Sequence, residues 1–480
     1  MKKEFEKKQL VKKSENFSRW YTDIILKAGL ADYAPVKGCM IFKPYGWAIW
    51  ENIQKALDGE IKKAGVKNAY FPLFIPERLL KKEKEHVESF SPELAVVTIG
   101  GGKKLKEKLV VRPTSETIMY EMFAKWIKSW RDLPLMINQW SNAVRWEKRT
   151  YLFLRTTEFL WQEGHTVHQT HQEAKKEVQR ALNTYVKLYQ KIFGIDGVWN
   201  KKSESEKFPG ALDTYSYEML MPDNKAIQGG TSHDLGQNFS KVFNIKFLDK
   251  KGKEKLAWQT CWGLSTRSIG ALIMAHGDNN GLIIPPQLAP VQVIIIPVFQ
   301  RKKTDKELEK TSKKTKDILK DFRTEIDLRK EYSIGWKFNE WELKGVPLRI
   351  EIGPEEIKRK KATLVRRDNG EKELVSFNLL SFKVKETLAL IQKNLFLKSS
   401  RHLKENTREV FDYGEFKSIM QKEKGFLKAF WCGSPKCERK IKEETKATTR
   451  CLSSEISKKE GKCIYCSNKA KNKWIFAQAY

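Results

Sequence analysis

Apolar residues recur at helical spacing in several stretches of the chain. Phe17, Trp20, Tyr21, Ile24 and Ile25 fall on one stripe and predict a helix over 15–28. Trp50, Ile53, Leu57 and Ile61 predict a second over about 47–64, with Gly65 placed to end it. Helices are also expected over 117–130 and over 172–193, where Val178, Leu182, Tyr185, Leu188 and Tyr189 share a side. The segment 69–74 predicts a short strand, and its Pro72 suits an edge or a subunit-interface element. The stretch 140–167 predicts two strands joined by a polar loop: the first ends Val144-Arg145-Trp146-Glu147, and the second runs from Thr157 to His165. Side chains alternate across a strand. One surface of the hairpin then carries Arg145 and Glu147 with Phe159, Trp161, Glu163 and His165. A half-buried sheet ordinarily has apolar residues there. A solvated face with incidental charges is the bland alternative, and the rings between the charges speak against it.

Beyond residue 290 the period changes. Val291–Val298 is a continuous apolar run, 305–322 a charged amphipathic helix, 325–328 a strand and 335–342 a short helix. Strands over 348–352 and 362–366 follow, and Leu380, Val384, Leu388 and Ile391 predict a closing helix. Strands alternating with helices indicate a separate α/β domain of about 100 residues. Leu282-Ile283-Ile284-Pro285-Pro286-Gln287 reads as the linker before it. The expected domains are 1–285, 286–396 and 397–480.

Composition narrows the function classes. The 480 residues are 40% hydrophobic with 15 tryptophans, which excludes a disordered chain. A net charge of +32 favours a polyanionic partner, nucleic acid first, unless a Lys-rich host makes all its proteins basic. No stretch approaches the roughly 20 apolar residues of a membrane span. The charged start Met1-Lys2-Lys3-Glu4 lacks a signal peptide's apolar core, so a reducing cytoplasm is expected.

Four further stretches carry chemistry. Arg112-Pro113-Thr114-Ser115-Glu116 precedes a helix. Thr114 and Glu116 suit an N-cap with an acidic first turn, or a hydroxyl and carboxylate receiving a substrate ammonium. Gln228-Gly229-Gly230-Thr231-Ser232-His233 passes through two glycines, for a close ligand approach or a tight turn. Cys261 to Gly270 leads from a strand into a helix, with Ser265 and Arg267 at the junction, where an arginine can hold a phosphate or a ring. Cys432-x4-Cys437 and Cys463-x2-Cys466 have the spacing of a tetrahedral thiolate zinc site. Cys451 lies between the pairs as a possible competitor.

In this order the motifs resemble a class II aminoacyl-tRNA synthetase. The helix and strand with Pro72 resemble the first class motif, the dimer interface. Arg145-Trp146-Glu147 with Leu154-Arg155-Thr156 and Phe159 resembles the second, and Gly263 to Arg267 the third. Arg112 to Glu116, Trp161 to His165 and Gly230 to His233 resemble the prolyl-tRNA synthetases in particular. The resemblance implies an α+β architecture: a catalytic core on an antiparallel sheet, an α/β anticodon-binding domain, and a small C-terminal zinc-binding α/β domain. It implies proline activation by ATP with Mg²⁺, prolyl transfer to tRNA(Pro), a homodimer and a structural Zn²⁺. About a hundred residues separate the second and third motifs and read as core elements, so no editing domain is expected.

Carried over by residue, Arg145 and Arg267 are the catalytic cations. Thr114, Glu116, Arg145, Trp161, Glu163 and His233 are expected to bind proline. Arg145, Glu147, Arg155, Thr156, Phe159, Gln228, Thr231, Ser265 and Arg267 are expected to bind ATP. Trp341 to Arg349 resembles the anticodon-reading segment, with Glu342, Arg349 and Lys372 facing the bases. The ending Phe476-Ala477-Gln478-Ala479-Tyr480 resembles the family's, which reaches towards the active site. A synthetase-like paralogue that binds RNA without aminoacylation has no need of these arginines or of Thr114 and Glu116; a seryl or threonyl enzyme does not account for Trp161 to His165.

Overall fold

The computed structural model describes residues 9–82, 94–299, 305–455 and 460–480. The charged start, Met1 to Glu4, lies outside them. In the first part of the chain, helices α1 (Phe17–Lys27) and α2 (Pro44–Lys63) are followed by strand β1 (Lys67–Asn68), then β2 (Phe74–Pro76), β3 (Val96–Gly100), β4 (Lys103–Val111) and helix α3 (Glu116–Trp126). The central hairpin is β5 (Leu135–Val144) and β6 (Glu158–His168). Helix α4 (His171–Lys187), strands β7 (Gly197–Lys201), β8 (Asp213–Leu220), β9 (Ala226–Gly236) and β10 (Trp258–Ser265), and helix α5 (Arg267–His276) complete the unit. The seven-stranded sheet has the order β1-β5-β6-β10-β9-β8-β7. Its pairs are antiparallel except β1 with β5.

The sequence explains where these elements start and stop, and three expectations change. The strand expected over 69–74 does not form: residues 69–73 connect β1, which pairs with β5, to β2, which pairs with β4 and shares only Phe74 with the expected span. Pro72 lies between them without a ladder, and the Arg112 guanidinium takes up the carbonyl of Phe71 at 2.8 Å. The helix expected to reach residue 130 ends at Trp126, followed by a 3-10 turn, Trp130–Asp132, capped by Ser129. Beyond Lys187 the helix continues to Phe193 as a π-helical segment, closed by Gly194 in the left-handed region.

The two glycines at 229 and 230 form no turn. They lie inside β9, where Ser216 pairs with Thr231 and Glu218 with Gln228, so two residues oppose Tyr217 alone. This β-bulge turns Gln228 and Thr231, three residues apart, to the same cavity. On the other face a Cβ at Gly229 would stand 2.7 Å from the Tyr189 ring, and one at Gly230 2.5 Å from Tyr185. The glycines therefore admit two tyrosines of the covering helix, and Gly229 also lines the cavity, where its bare backbone leaves room for a ligand. That helix and the sheet close over Trp20, Trp50, Tyr185, Tyr189 and Trp262, the principal core.

The second unit contains β11 (Val293–Pro297), helix α6 (Asp305–Ile318), β12 (Thr324–Ile326), helix α7 (Ile334–Leu343), β13 (Leu348–Ile352), β14 (Lys361–Arg366) and β15 (Lys372–Ser376). Its order is β12-β11-β13-β14-β15, the first three parallel and the last two antiparallel. The segment 282–287 is no exposed linker: Leu282, Ile283 and Ile284 are buried, and the Leu282 and Ile284 amides donate to Leu343 and Gly345 of the second unit. Helix α8 (Leu380–Glu405) runs 26 residues and passes through the boundary expected at 396.

The last unit has β16 (Thr407–Glu409), helix α9 (Tyr413–Lys422), β17 (Phe426–Trp431), helix α10 (Pro435–Thr445), β18 (Thr448–Leu452) and β19 (Asn472–Ala477), in sheet order β16-β17-β19-β18. It is joined to the first unit through Ala226, whose amide donates to the Gln478 carbonyl at 2.7 Å. No helix among the described residues is long and apolar enough to cross a membrane.

Candidate active site

The hairpin β5–β6 supplies one wall of a cavity of about 340 Å³ on the open face of the large sheet. Odd residues of β6 face it, so Phe159, Trp161, Glu163 and His165 line it together. Strand β5 ends at Val144, one residue before Arg145. A further rung, the Arg145 amide to the Thr157 carbonyl at 2.8 Å, keeps the chain in register for one more residue. Arg145 and Glu147, expected on the strand, thus project from its end, and both still reach the cavity. Every residue expected to bind proline or ATP lines this cavity: Thr114, Glu116, Arg145, Glu147, Arg155, Thr156, Phe159, Trp161, Glu163, Gln228, Thr231, His233, Ser265 and Arg267.

One end of the cavity is cationic. The Arg145 guanidinium lies 5.4 Å from the Phe159 ring centre and 5.8 Å from that of Trp161, and its Nε donates to the Pro113 carbonyl at 3.2 Å. Arg155 pairs with Glu147 at 2.7 Å. Arg267, first residue of α5, donates to the Leu154 carbonyl at 3.1 Å. Burial lowers the Arg267 pKa, and the like charges of Arg145 and Arg155 lower it further. Three guanidiniums that repel one another across a cavity constitute an anion site.

The other end is acidic and closely wired. Glu163 accepts from Ser115 at 2.6 Å and from Gln139 at 2.9 Å. Its second oxygen accepts from His165 Nε2 at 3.1 Å, which leaves Nδ1 to accept from the Tyr120 hydroxyl at 3.1 Å. The Thr114 hydroxyl donates to Glu116. Ser115 stands at the N-cap of α3 but makes no side-chain cap, since its hydroxyl serves Glu163. The side-chain cap expected for this segment is therefore absent, while Glu116 does supply the acidic first turn. Burial and the carboxylates of Glu116 and Glu163 push the Cys261 thiol well up, so it stays protonated. Glu116, His165 and Cys261 have ligand atoms within 4.8 Å of one another. Both ring nitrogens of His165 are engaged, with Glu163 and Tyr120, and the three side chains lie together on the floor of the pocket.

Several lining residues had no sequence signal. Lys202, Phe208 and Thr214 reach the cavity from the segment between α4 and β9. Thr214 bonds His233 Nδ1 at 2.9 Å and the Phe208 amide at 2.9 Å, which fixes the His233 ring. Lys202 follows an edge strand whose partner is known only from pairing. Its own type, one lysine among many, gives no hint.

A second cavity, about 430 Å³, opens in the α/β unit and brings together Glu342, Arg349 and Lys372. Arg349 pairs with Val365 across β13–β14, and Val365 with Lys372 across β14–β15, so all three strands bring one face to it. Arg349 holds Glu351 at 2.9 Å and lies 4.1 Å from the Phe338 ring centre. Lys372 is 60% exposed at its side chain and 3.9 Å from Glu351.

The four expected metal ligands also converge. Cys432 Sγ lies 3.8 Å from both Cys437 and Cys466, and all four sulfurs lie within 4.8 Å of one another. Thiolates about 2.3 Å from a tetrahedral zinc are about 3.8 Å apart, so the set fits that ion. Cys451 is buried in β18 among a different cluster and is no member of the set.

Residues 98–276 match the class II tRNA synthetase core domain (G, H, P, S and T), 292–387 the anticodon binding domain, and 413–480 the prolyl-tRNA synthetase C-terminal domain. The chain is 50% identical over 475 residues to a proline–tRNA ligase of Natranaerobius thermophilus, covering 98% of each. It is 49% identical over 473 residues to proline–tRNA ligase 2 of Clostridioides difficile, again covering 98% of each. A crystal structure of prolyl-tRNA synthetase from Cryptosporidium parvum, complexed with halofuginone and AMPPNP, superposes with a TM-score of 0.94. It is 43% identical and covers 98% of this chain and 99% of that one.

Proposed function

The chain belongs to the prolyl-tRNA synthetases, and on that premise we propose how its residues divide the work. The enzyme activates L-proline with ATP, releasing pyrophosphate, and transfers the prolyl group to the 3′ end of tRNA(Pro). The proline carboxylate oxygen attacks the α-phosphorus in line and pyrophosphate leaves. No proton need move in this step, so catalysis rests on alignment and on charge held ready.

The acidic end receives proline. Its imino nitrogen carries two N–H donors, which the Glu116 carboxylate and the free lone pair of the Thr114 hydroxyl accept. Trp161, Glu163 and His233 shape the wall around the ring. Glu163 keeps its shape because Ser115, Gln139 and His165 hold both oxygens. The cationic end receives ATP, which enters as its magnesium complex. Phe159 stacks on adenine and Glu147 accepts from its amino group. Arg155 and Arg267 hold the outer phosphates; Gln228, Thr231, Ser265 and Thr156 complete the nucleotide's surroundings. Since Arg155 is engaged with Glu147, it swings from carboxylate to phosphate as the nucleotide enters. Arg145 stands between the two ends, and its fork serves both the α-phosphate and the proline carboxylate.

Glu342, Arg349 and Lys372 address the anticodon bases. Cys432, Cys437, Cys463 and Cys466 hold a structural zinc, which ties β17, α10 and the 463–466 turn into one fold. The protein acts as a cytoplasmic homodimer, with α2 and the Pro72 segment at the interface; exposed Tyr70 and Phe74, at 70% and 46%, support this. Residues 169–257 are all described and consist of elements packed on the catalytic sheet, in keeping with an enzyme that has no editing domain between the second and third motifs. The observation that carries the assignment of roles is the single cavity with three guanidiniums at one end and Thr114, Glu116 and Glu163 at the other. Exchange of pyrophosphate into ATP tests it: proline is expected to support exchange best, alanine a slower exchange, and threonine and serine little or none. Exchange driven best by threonine or serine would overturn the pocket assignment.

A further inference from the structure

The C-terminal unit reaches under the nucleotide end of the cavity through one side chain. Arg450, on β18, crosses to Glu218 on β8 of the catalytic sheet, with Nε at 2.9 Å and Nη2 at 2.6 Å from one carboxylate oxygen. The pair is dry: Glu218 is 0% exposed and Arg450 6%. The other Glu218 oxygen accepts from Ser216 at 2.7 Å and from the Lys202 ammonium at 3.3 Å. Lys202 is itself 4% exposed, and its ammonium also donates to the Gln228 side chain at 3.0 Å. Burial alone pushes the Glu218 carboxyl up, but Arg450 and Lys202 more than offset this and hold it below the usual carboxylate range.

The distances rank these contacts. A charge-assisted N–H···O bond is ordinarily about 2.7–2.9 Å long. Arg450 meets that standard and Lys202, at 3.3 Å, does not. Arg450 has taken the carboxylate, and Lys202 is left shared between it and Gln228. Lys202 and Gln228 both line the active-site cavity. Without Arg450, Lys202 is the cation left beside the buried Glu218 among the described residues, and an unpaired buried charge is costly enough to draw it in. Lys202 would then withdraw from Gln228 and from the cavity.

We propose that Arg450, supplied by the cysteine-bearing C-terminal unit, is a positioning residue for ATP: by occupying Glu218 it frees Lys202 and Gln228 to face the nucleotide. This rests on the nucleotide reading of the cationic end of the cavity. Two further bonds keep β18 and α10 in place beside Lys202, since Ser203 bonds Glu438 at 2.9 Å and Thr449 at 2.8 Å. The zinc-binding fold is thereby linked to the catalytic step through a side chain that touches no substrate.

The test is proline-dependent pyrophosphate exchange on the full-length zinc-loaded protein, with ATP and proline varied separately. Arg450→Met is expected to raise KM for ATP about tenfold, as displacement of a positioning group does, while KM for proline stays within about twofold. The double variant Arg450→Met/Glu218→Gln, which removes the carboxylate that would capture Lys202, is expected to recover most of the loss. Zinc content and circular dichroism verify the fold. Unchanged KM for ATP, an equal rise in both KM values, or a double variant no better than the single one overturns the proposal. If Arg450→Met does not fold, Lys202→Met tests the link from the catalytic side: it should raise KM for ATP alone, and an unchanged value overturns the proposal. Failure of the nucleotide reading itself looks different, since the unaltered protein would then show no proline-dependent exchange.

Discussion

At the residue scale, the proposed roles concentrate most on Arg145. It lies over Phe159 and Trp161 and is anchored by the Pro113 carbonyl, so its position does not depend on substrate. Arg145→Ala is expected to lower kcat/KM in pyrophosphate exchange by about 10²–10³-fold, the usual loss when one preorganised charge donor goes. Filter binding of tRNA should change little; loss of tRNA binding would place Arg145 elsewhere in the mechanism. Two histidines set an acid limit. Burial lowers His168 to about 4, helped by Arg180, and lowers His276 to about 4. Each is neutral in the fold while the unfolded chain takes up a proton near its ordinary value of 6.5. The unfolded state therefore binds more protons between those values, and stability falls as pH drops from 6.5 towards 4. Each contributes at most about 1.4 kcal/mol per pH unit. Melting at pH 7 and pH 5 reads this out, and replacing both by Gln should flatten the slope. That the expected residues converge on one cavity was legible because each belongs to a short motif whose chemistry is visible locally. Lys202, Thr214 and Arg450 were not, because each reaches the site only through pairing with a distant segment.

At the element scale, alternation along β6 was enough to gather a ring, a carboxylate and an imidazole on one face. Alternation alone fails on β9. A bulge there shifts the phase by one residue, and its cause, the Tyr217 rung opposite two glycines, lies on another strand. The missed strand β15, with Lys372 and Glu373 exposed at its start, is an edge that carries too little apolar pattern to be read. On the neighbouring strands, Arg349 is held ready by Glu351 and the Phe338 ring. Arg349→Gln should raise KM for tRNA about tenfold, the scale of one lost bidentate base contact. Pyrophosphate exchange, which needs no tRNA, should be unchanged. A fall in exchange would mean that the substitution damages the fold rather than recognition.

At the scale of the whole molecule, the chelation outcome follows from the four sulfurs. Thiolate zinc sites contribute about 10–16 kcal/mol of folding free energy in small domains. Removing the ion with a strong chelator should expose the region around 426–477 to protease before the catalytic unit, with one zinc released per chain; protection that persists would show the region to be held by its core alone. The lack of an inserted domain across 169–257 leads to a second outcome. Purified enzyme should form some alanyl-tRNA(Pro), since a pocket shaped for a small ring rejects a smaller side chain by only about 1–3 kcal/mol per methylene, and should leave it intact over many turnovers of charging. Rapid deacylation by the pure protein would contradict it. The number of units was legible from composition and period, whereas their seams were not. The segment 282–287 has the prolines of a tether, yet it is buried, and the helix crossing 396 has no break in its periodicity to mark a seam.

The buried seam has a consequence of its own. Leu282 and Ile284 are bonded into the second unit, and Arg367 grips Asp278 with both nitrogens, at 2.6 and 2.8 Å. No slack separates the two cavities. On the roles proposed above, the protein is a fixed gauge: the span between the cavity assigned to the bases and the cavity assigned to proline is set by this bonded seam, not adjusted to the RNA.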